Sequence, residues 1–218
     1  MSVSASTPLK PRRRSGLRWA LAGVAGLVLI AAMAVSTKVV IIGSAADVQA
    51  DVFSPDAFGA AEFPKIQAAV TDKAVAADVF ATAVAANKDE AGKKYGVPGS
   101  IGPEISVKFT GVAGQGKSGI YSVTVPGVPS EVLIRVQTGP AINGTDIRDA
   151  TGTIAFGQFT NQIEYQNAGS ALNREMKKQV LSKIDNSNLT GKTLSVVGVF
   201  QLINPKSWLV TPVKLEVQ

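Results

Sequence analysis

Ile105-Ser106-Val107-Lys108-Phe109-Thr110 alternates apolar and polar residues, and Ile120-Tyr121-Ser122-Val123-Thr124-Val125 resumes a strand-like composition after a glycine-rich interval. A period of two puts the apolar side chains on one face of an extended chain, so both stretches read as strands with one buried face. The interval between them, Gly111-Val112-Ala113-Gly114-Gln115-Gly116-Lys117-Ser118, matches the P-loop expression. Phosphate binding by such a loop needs a helix directly after it, whose first amides cradle the anion. Here the chain continues through β-branched residues and a tyrosine to Pro126, which is a strand. The glycines of Gly111–Ser118 therefore close a β-hairpin, and no nucleotide is expected as a partner.

Working outward, Val132-Leu133-Ile134-Arg135-Val136 is a third strand, and Gly139 to Gly152 is rich in turn residues. Thr153–Phe156 reads as a short strand. Phe159–Ile184 reads as a helix, with Ala168, Leu172, Met176, Val180 and Ile184 at steps of four. Thr193–Leu202 and Trp208–Val217 return to strand. Three strands, a helix, then further strands is the order of an oligonucleotide/oligosaccharide-binding (OB) barrel, although a half-open α+β sandwich shares it. The fold class is α+β: an N-terminal transmembrane helix, an Ala-rich helical segment, then an OB-like barrel of five to six strands with a helix between strands three and four.

Toward the N-terminus, Pro55–Tyr95 carries Phe63, Ile66, Val70 and Ala74 at helical spacing, with Ser54 as N-cap, Pro55 at the first helical position and a break near Pro64. Residues 1–18 hold five positive charges and no negative one, and Trp19 to Thr37 is a run of 19 uncharged residues. Nineteen residues at about 1.5 Å rise span a bilayer core, with the basic end inside. Length favours an uncleaved anchor; a cleaved signal with Ala32-Met33-Ala34 as its site is the other reading. The expected organisation is a cytoplasmic basic tail (1–18), an anchor or signal sequence (19–42), a linker and helical segment (43–100) and the barrel (101–218). The expected location is the cytoplasmic membrane, single-pass, with the C-terminal bulk outside the cytoplasm.

Composition excludes more than it assigns. The chain has no cysteine and no histidine, which removes disulfides, thiolate chemistry and imidazole dyads. From Val39 onward 16 basic residues face 16 acidic ones, so no net basic surface is left to displace counterions from nucleic acid. No metal, cofactor or catalytic residue is expected, and the chain reads as a non-enzyme.

The polar stretch Gly139–Asp149 offers Asn143, Thr145, Asp146, Arg148 and Asp149 as ligand or partner contacts, with Arg148 able to fork onto a carboxylate. The alternative is a long connection whose side chains cap their own backbone. Asn161, Gln162 and Asn173 could present amides to a sugar or a partner, or stand as solvated helix positions, and Thr160 fits the N-cap.

Gly139-Pro140, Gly144-Thr145, Arg148-Asp149, Phe159-Thr160-Asn161-Gln162-Ile163-Glu164-Tyr165 and Ala171-Leu172-Asn173 resemble the central signature of the predicted periplasmic lipoproteins called domain of unknown function 2291. Gly191-Lys192, Gly198-Val199-Phe200 and Thr211-Pro212-Val213 are similar to its closing strands. The resemblance covers about residues 50–218. It implies an accessory role beside sugar ABC transporters, near which members are generally encoded, and brings no established activity. The lipid-bearing cysteine of the family is missing, which implies a transmembrane helix in its place. The function expected is thus a membrane-tethered extracytoplasmic accessory or binding protein. An enzyme acting on surface carbohydrate, with Asp146 and Asp149 as its only machinery, and a purely structural envelope protein are the alternatives.

Overall fold

The computed structural model describes residues 15–37 and 53–218, and the chain divides into two units, Met1–Val52 and Phe53–Gln218. In the first, α1 (Ser15–Ser36) contains the apolar window Trp19–Ser36, of mean hydropathy 2.2, long and apolar enough to cross a membrane. The rest of the basic tail, the end of the expected anchor (38–42) and the linker up to Val52 lie outside the described residues.

The second unit opens on α2 (Pro55–Lys73). Ser54 is its N-cap residue, Pro55 starts it, and Phe53 packs on Phe58 at 5.5 Å between ring centroids. That pairing of N′ with the fourth helical residue is a hydrophobic staple and sets the angle at which the chain enters. The expected break at Pro64 does not occur: α2 runs through it and ends at Ala74. Pro64 is the tenth of its 19 residues, so the helix forgoes the bond a Pro64 amide would make to Ala60 O, but Phe63, Ile66 and Val70 are all buried and hold the helix on course against the core. A two-residue strand, β1 (Val75–Ala76), leads to α3 (Ala77–Ala86), α4 (Lys88–Tyr95) and β2 (Gly96–Val97).

Five longer strands follow: β3 (Glu104–Lys117), β4 (Ile120–Thr124), β5 (Leu133–Gln137), β6 (Thr193–Gln201) and β7 (Ser207–Val217). Between β5 and β6 lie the single-turn α5 (Asp146–Asp149) and α6 (Gln162–Gln179). Among these five, pairing runs β3-β4-β5-β7-β6 and returns from β6 to β3, with β5 and β7 parallel and the rest antiparallel, while β1 joins β3 in parallel and β2 joins it antiparallel. Each strand thus bonds two neighbours, in the Greek-key order of an OB barrel. Closure is uneven, since β3 and β6 pair over nine residues but β5 and β7 over four. Thr153–Ala155 is not the expected strand. Gln158 donates to Thr153 O and accepts from Ala155 N, which draws this stretch into a 3₁₀ turn at Phe156–Gln158.

The barrel interior is apolar: Ile105, Val107, Ile134, Val136, Val196, Phe200, Trp208 and Val210 are at most 1% exposed. Phe80 of α3 packs on Trp208 at 5.3 Å and on Phe200 at 6.0 Å, so the helical segment contributes to the same core. Outside the barrel, α2 and α6 pack together, and a Cβ on Gly59 would stand 2.8 Å from Ala171 O, closer than real contacts allow. A hairpin is present, but Gly111, Gly114 and Gly116 do not close it: they lie within β3, and Ser118 (φ 54°) and Gly119 (φ 74°) make the turn into β4. The Gly119 carbonyl accepts from Thr138 N (2.7 Å) and Thr138 Oγ1 (3.1 Å). Pro212, a poor strand residue, sits opposite Gly198 where the β6–β7 register shifts.

Candidate functional site

The polar stretch after β5 is not the open loop its composition suggests. The Gly139-Pro140 bond is cis, and the chain then folds back onto the outer face of β5 and β7. Gln137 leaves β5 on that face and clasps the loop, donating to Asn143 O and accepting from Asn143 N, both at 3.3 Å. Asn173, buried on α6, donates to Gly144 O at 3.0 Å. Thr145 then stands at the head of α5, with Oγ1 donating to Asp149 Oδ2 at 2.7 Å.

Arg148 is 8% exposed and does not lie between two carboxylates. Its Nε and Nη2 donate to the two oxygens of Asp149 at 2.7 and 2.9 Å, and Nη1 donates to Tyr165 O at 3.4 Å. The guanidinium also lies over the Tyr165 ring, 3.7 Å from its centroid. All three bonds stay inside the protein, so Arg148 and Asp149 fasten α5 to α6. Asn161 is likewise structural. Its Oδ1 accepts from Glu164 N (2.9 Å), and Glu164 reaches back to Thr160 N (2.9 Å), so Asn161, not Thr160, is the N-cap residue of α6. Gln162 is exposed beside it.

Asp146 points the other way. Thr211 on β7 takes a hydrogen bond from Gln137 Nε2 (2.9 Å) and donates to Asp146 Oδ2 (2.9 Å), forming a short relay across the barrel's outer surface. Burial pushes the Asp146 carboxyl up to about 6 against the lowering effect of Thr211. Below it Glu104, at the start of β3, is 1% exposed. Its Oε1 accepts from Gln201 Nε2 at 3.0 Å, while Oε2 is buried with no partner among the described residues. Burial first, then repulsion from Asp146 and Asp149, raises the Glu104 carboxyl to about 8.

Asp146 and Gln201 are two walls of a groove of about 400 Å³. Arg135 and Gln137 of β5, Ser207 and Leu209 of β7, Asn143 and Gly144 of the loop, and Ile203 and Asn204 of the β6–β7 turn complete it. Arg135 Nη2 donates to Ser207 Oγ at 3.0 Å, but its Nε is buried and unpartnered among the described residues. No carboxylate within ion-pair distance of Arg135 occurs among the described residues. A half-buried cation, a raised carboxyl and several amides thus line one depression, chemistry that suits a small polar molecule. Of the residues expected from the sequence, Asn143 and Asp146 reach this groove, while Thr145, Arg148, Asp149 and Asn173 hold its wall in place. Asn161 and Gln162 stand apart at the start of α6.

A family described as predicted periplasmic lipoprotein (DUF2291) matches residues 27–216. The chain belongs to that family. This DUF2291 member is also similar in fold to an OB-fold protein from Thermotoga maritima, solved as a crystal structure. The TM-score is 0.61 at 21% identity, over 76% of this chain and 99% of the other. No curated protein matches. Family membership and the apolar α1 together mark a membrane-associated extracytoplasmic protein.

Glu104, Arg135, Gln137, Gln201, Asn204 and Ser207 were not singled out from sequence. One signal was available: Arg135 alternates with Ile134 and Val136, which places it on the outer face of its strand. Nothing local indicates that a loop and a neighbouring strand enclose that face.

Proposed function

We propose that this protein is a membrane-tethered extracytoplasmic binding module that serves a bacterial sugar ABC-transport system and takes a small polyhydroxylated solute in the Arg135 groove without transforming it. The observation that carries the reading is Arg135, a half-buried cation with no ion pair among the described residues, set among amides, a serine and a carboxyl in an open depression. Hydroxyls satisfy donors and acceptors alike, and Leu209 and Ile203 offer an apolar wall for the C–H face of a sugar. The association with transport rests on the resemblance to proteins encoded beside such systems.

Thermal melts of the full-length chain in detergent, with a panel of pentoses, hexoses and disaccharides, test the reading. A ligand at about 100 times its Kd stabilises by about 2.7 kcal/mol, a shift of several degrees in Tm. The expected result is a rise with one sugar class that Arg135→Leu and Asn204→Ala abolish while keeping the unliganded Tm. No shift with any sugar at millimolar concentration sinks the proposal.

A hydrolytic role on surface carbohydrate is the second reading, favoured by the two displaced carboxyls, Glu104 and Asp146. Glu104 is shut away from any glycosidic oxygen, which is why binding comes first. Release of reducing ends from cell-envelope polysaccharide, lost in Asp146→Asn, would reverse that order.

A further inference from the structure

Four of the chain's eight phenylalanines and a tyrosine form one connected cluster on the surface of the folded unit, in a chain only 6% aromatic. Phe53, Phe58 and Phe159 meet pairwise at 5.3–5.7 Å; Phe159 continues to Tyr165 at 5.4 Å, and Tyr165 to Phe156 at 5.7 Å. Phe58, Phe159 and Tyr165 rest partly on the core, but Phe156 is 52% exposed and Ile163 in the first turn of α6 is 69% exposed. Stability does not require this exposure. The 3₁₀ turn at Phe156–Gln158 is held by the side chain of Gln158, and α6 is capped by Asn161.

We infer that this aromatic cluster is an interfacial surface that rests on the lipid bilayer. Two observations select a membrane over a protein partner. The first is where the tether arrives: Phe53, the first described residue of the folded unit, is itself one of the rings, and 15 residues separate it from Thr37 at the end of the apolar helix. Fifteen residues reach at most about 50 Å, so the cluster never leaves the neighbourhood of the bilayer. A contact too weak to recruit a free protein is then effective, because tethering makes it intramolecular. The second is charge: from Phe53 onward the sequence has 16 basic and 14 acidic residues, leaving little net attraction for an acidic or basic protein. Rings with a polar rim suit the headgroup boundary, where amphipathic aromatics gather. The half-buried Glu164 carboxylate, next to Tyr165 on α6, supplies a polar edge.

The chain has no cysteine, so single-cysteine variants label at one place. Phe156→Cys, Ile163→Cys and, as a control, Thr190→Cys are made in the full-length chain. Thr190 is exposed and lies beyond the C-terminal end of α6, which from Ile163 to Gln179 is about 24 Å long. Each is labelled with a polarity-sensitive fluorophore and reconstituted into zwitterionic phosphatidylcholine vesicles with or without brominated acyl chains. The expected result is a blue-shifted emission, quenched by bromolipid, at positions 156 and 163 but not at 190. Equal quenching at all three positions would overturn the inference. So would a blue shift indifferent to bromolipid and dependent on protein density, which signals contact between copies of the chain.

Discussion

Arg148 makes three hydrogen bonds and a ring contact from a nearly buried position. Arg148→Ala would strand the half-enclosed Asp149 carboxylate, leaving it the Thr145 hydroxyl as its side-chain donor among the described residues. The expected loss is about 1–3 kcal/mol in urea unfolding, and Arg148→Lys should recover little, since an ammonium neither forks nor stacks. A melt of the alanine variant that overlays the wild type would remove Arg148 from the scaffold. Glu104 predicts a pH dependence. Its carboxyl rises from an ordinary 4.5 to about 8 on folding, and that of Asp146 from 3.8 to about 6. Both groups hold protons more tightly when folded, so stability falls as pH rises through these windows, by at most about 1.4 kcal/mol per pH unit for each group. Glu104→Gln keeps a neutral acceptor for Gln201. It should match the wild type at pH 4 and melt above it at pH 8, and equal melting points at pH 8 would show that Glu104 ionises at no cost.

At the scale of elements, the β3–β4 hairpin is the tightest constraint. A Cβ on Gly119 would fall 1.0 Å from Gly139 O, and the residue has φ 74°. Gly119→Ala must therefore displace the strand end that presents Gln137 and Thr138, at a cost above about 2 kcal/mol. Circular dichroism melts measure it, and a change within about 0.5 kcal/mol, the range of neutral sites, would contradict the packing. The hairpin also explains the P-loop-like glycines. Gly111 to Lys117 lie in β3, where small residues permit close approach to β4 and the register shifts between Ala113 and Gly116. The cap of α6 was legible only to within one residue. Asn161-x-x-Glu164 and Thr160 compete for the same role, and the geometry of Glu164 reaching Thr160 N selects Asn161.

Across the whole molecule, the chain divides into an apolar N-terminal helix and a folded unit of barrel and helices, and the proposed function assigns anchoring to the first and binding to the second. The intact chain is expected to sediment with membranes and keep its N-terminus. Cell fractionation with mass spectrometry of the N-terminus checks this, and a soluble extracytoplasmic form beginning near Val35 would show cleavage instead. Within the folded unit, the Arg135 groove lies on β5, β7 and the β6–β7 turn, whereas the aromatic rings come from the start of α2, the 3₁₀ turn and α6. The two surfaces meet only where Arg148 packs on Tyr165, so Arg135 in the groove and Phe156 in the cluster can be altered separately.

The order of elements was written in local pattern. Period-two runs marked β3 through β7, step-of-four spacing marked α6, and a charge-free run marked α1, because each depends only on how a residue's neighbours along the chain share a face. The β-bonded return of β6 to β3, the passage of α2 through Pro64 and the 3₁₀ turn in place of a strand at Phe156 depended on contacts far apart in sequence. The groove is the extreme case. Glu104, Arg135, Gln201 and Ser207 come from four strands, and alternation says only that such residues face away from the core. Which strand lies alongside, and that a loop held by Asn173 and Arg148 encloses that face, is decided by barrel closure, when buried apolar faces select one register for every strand at once.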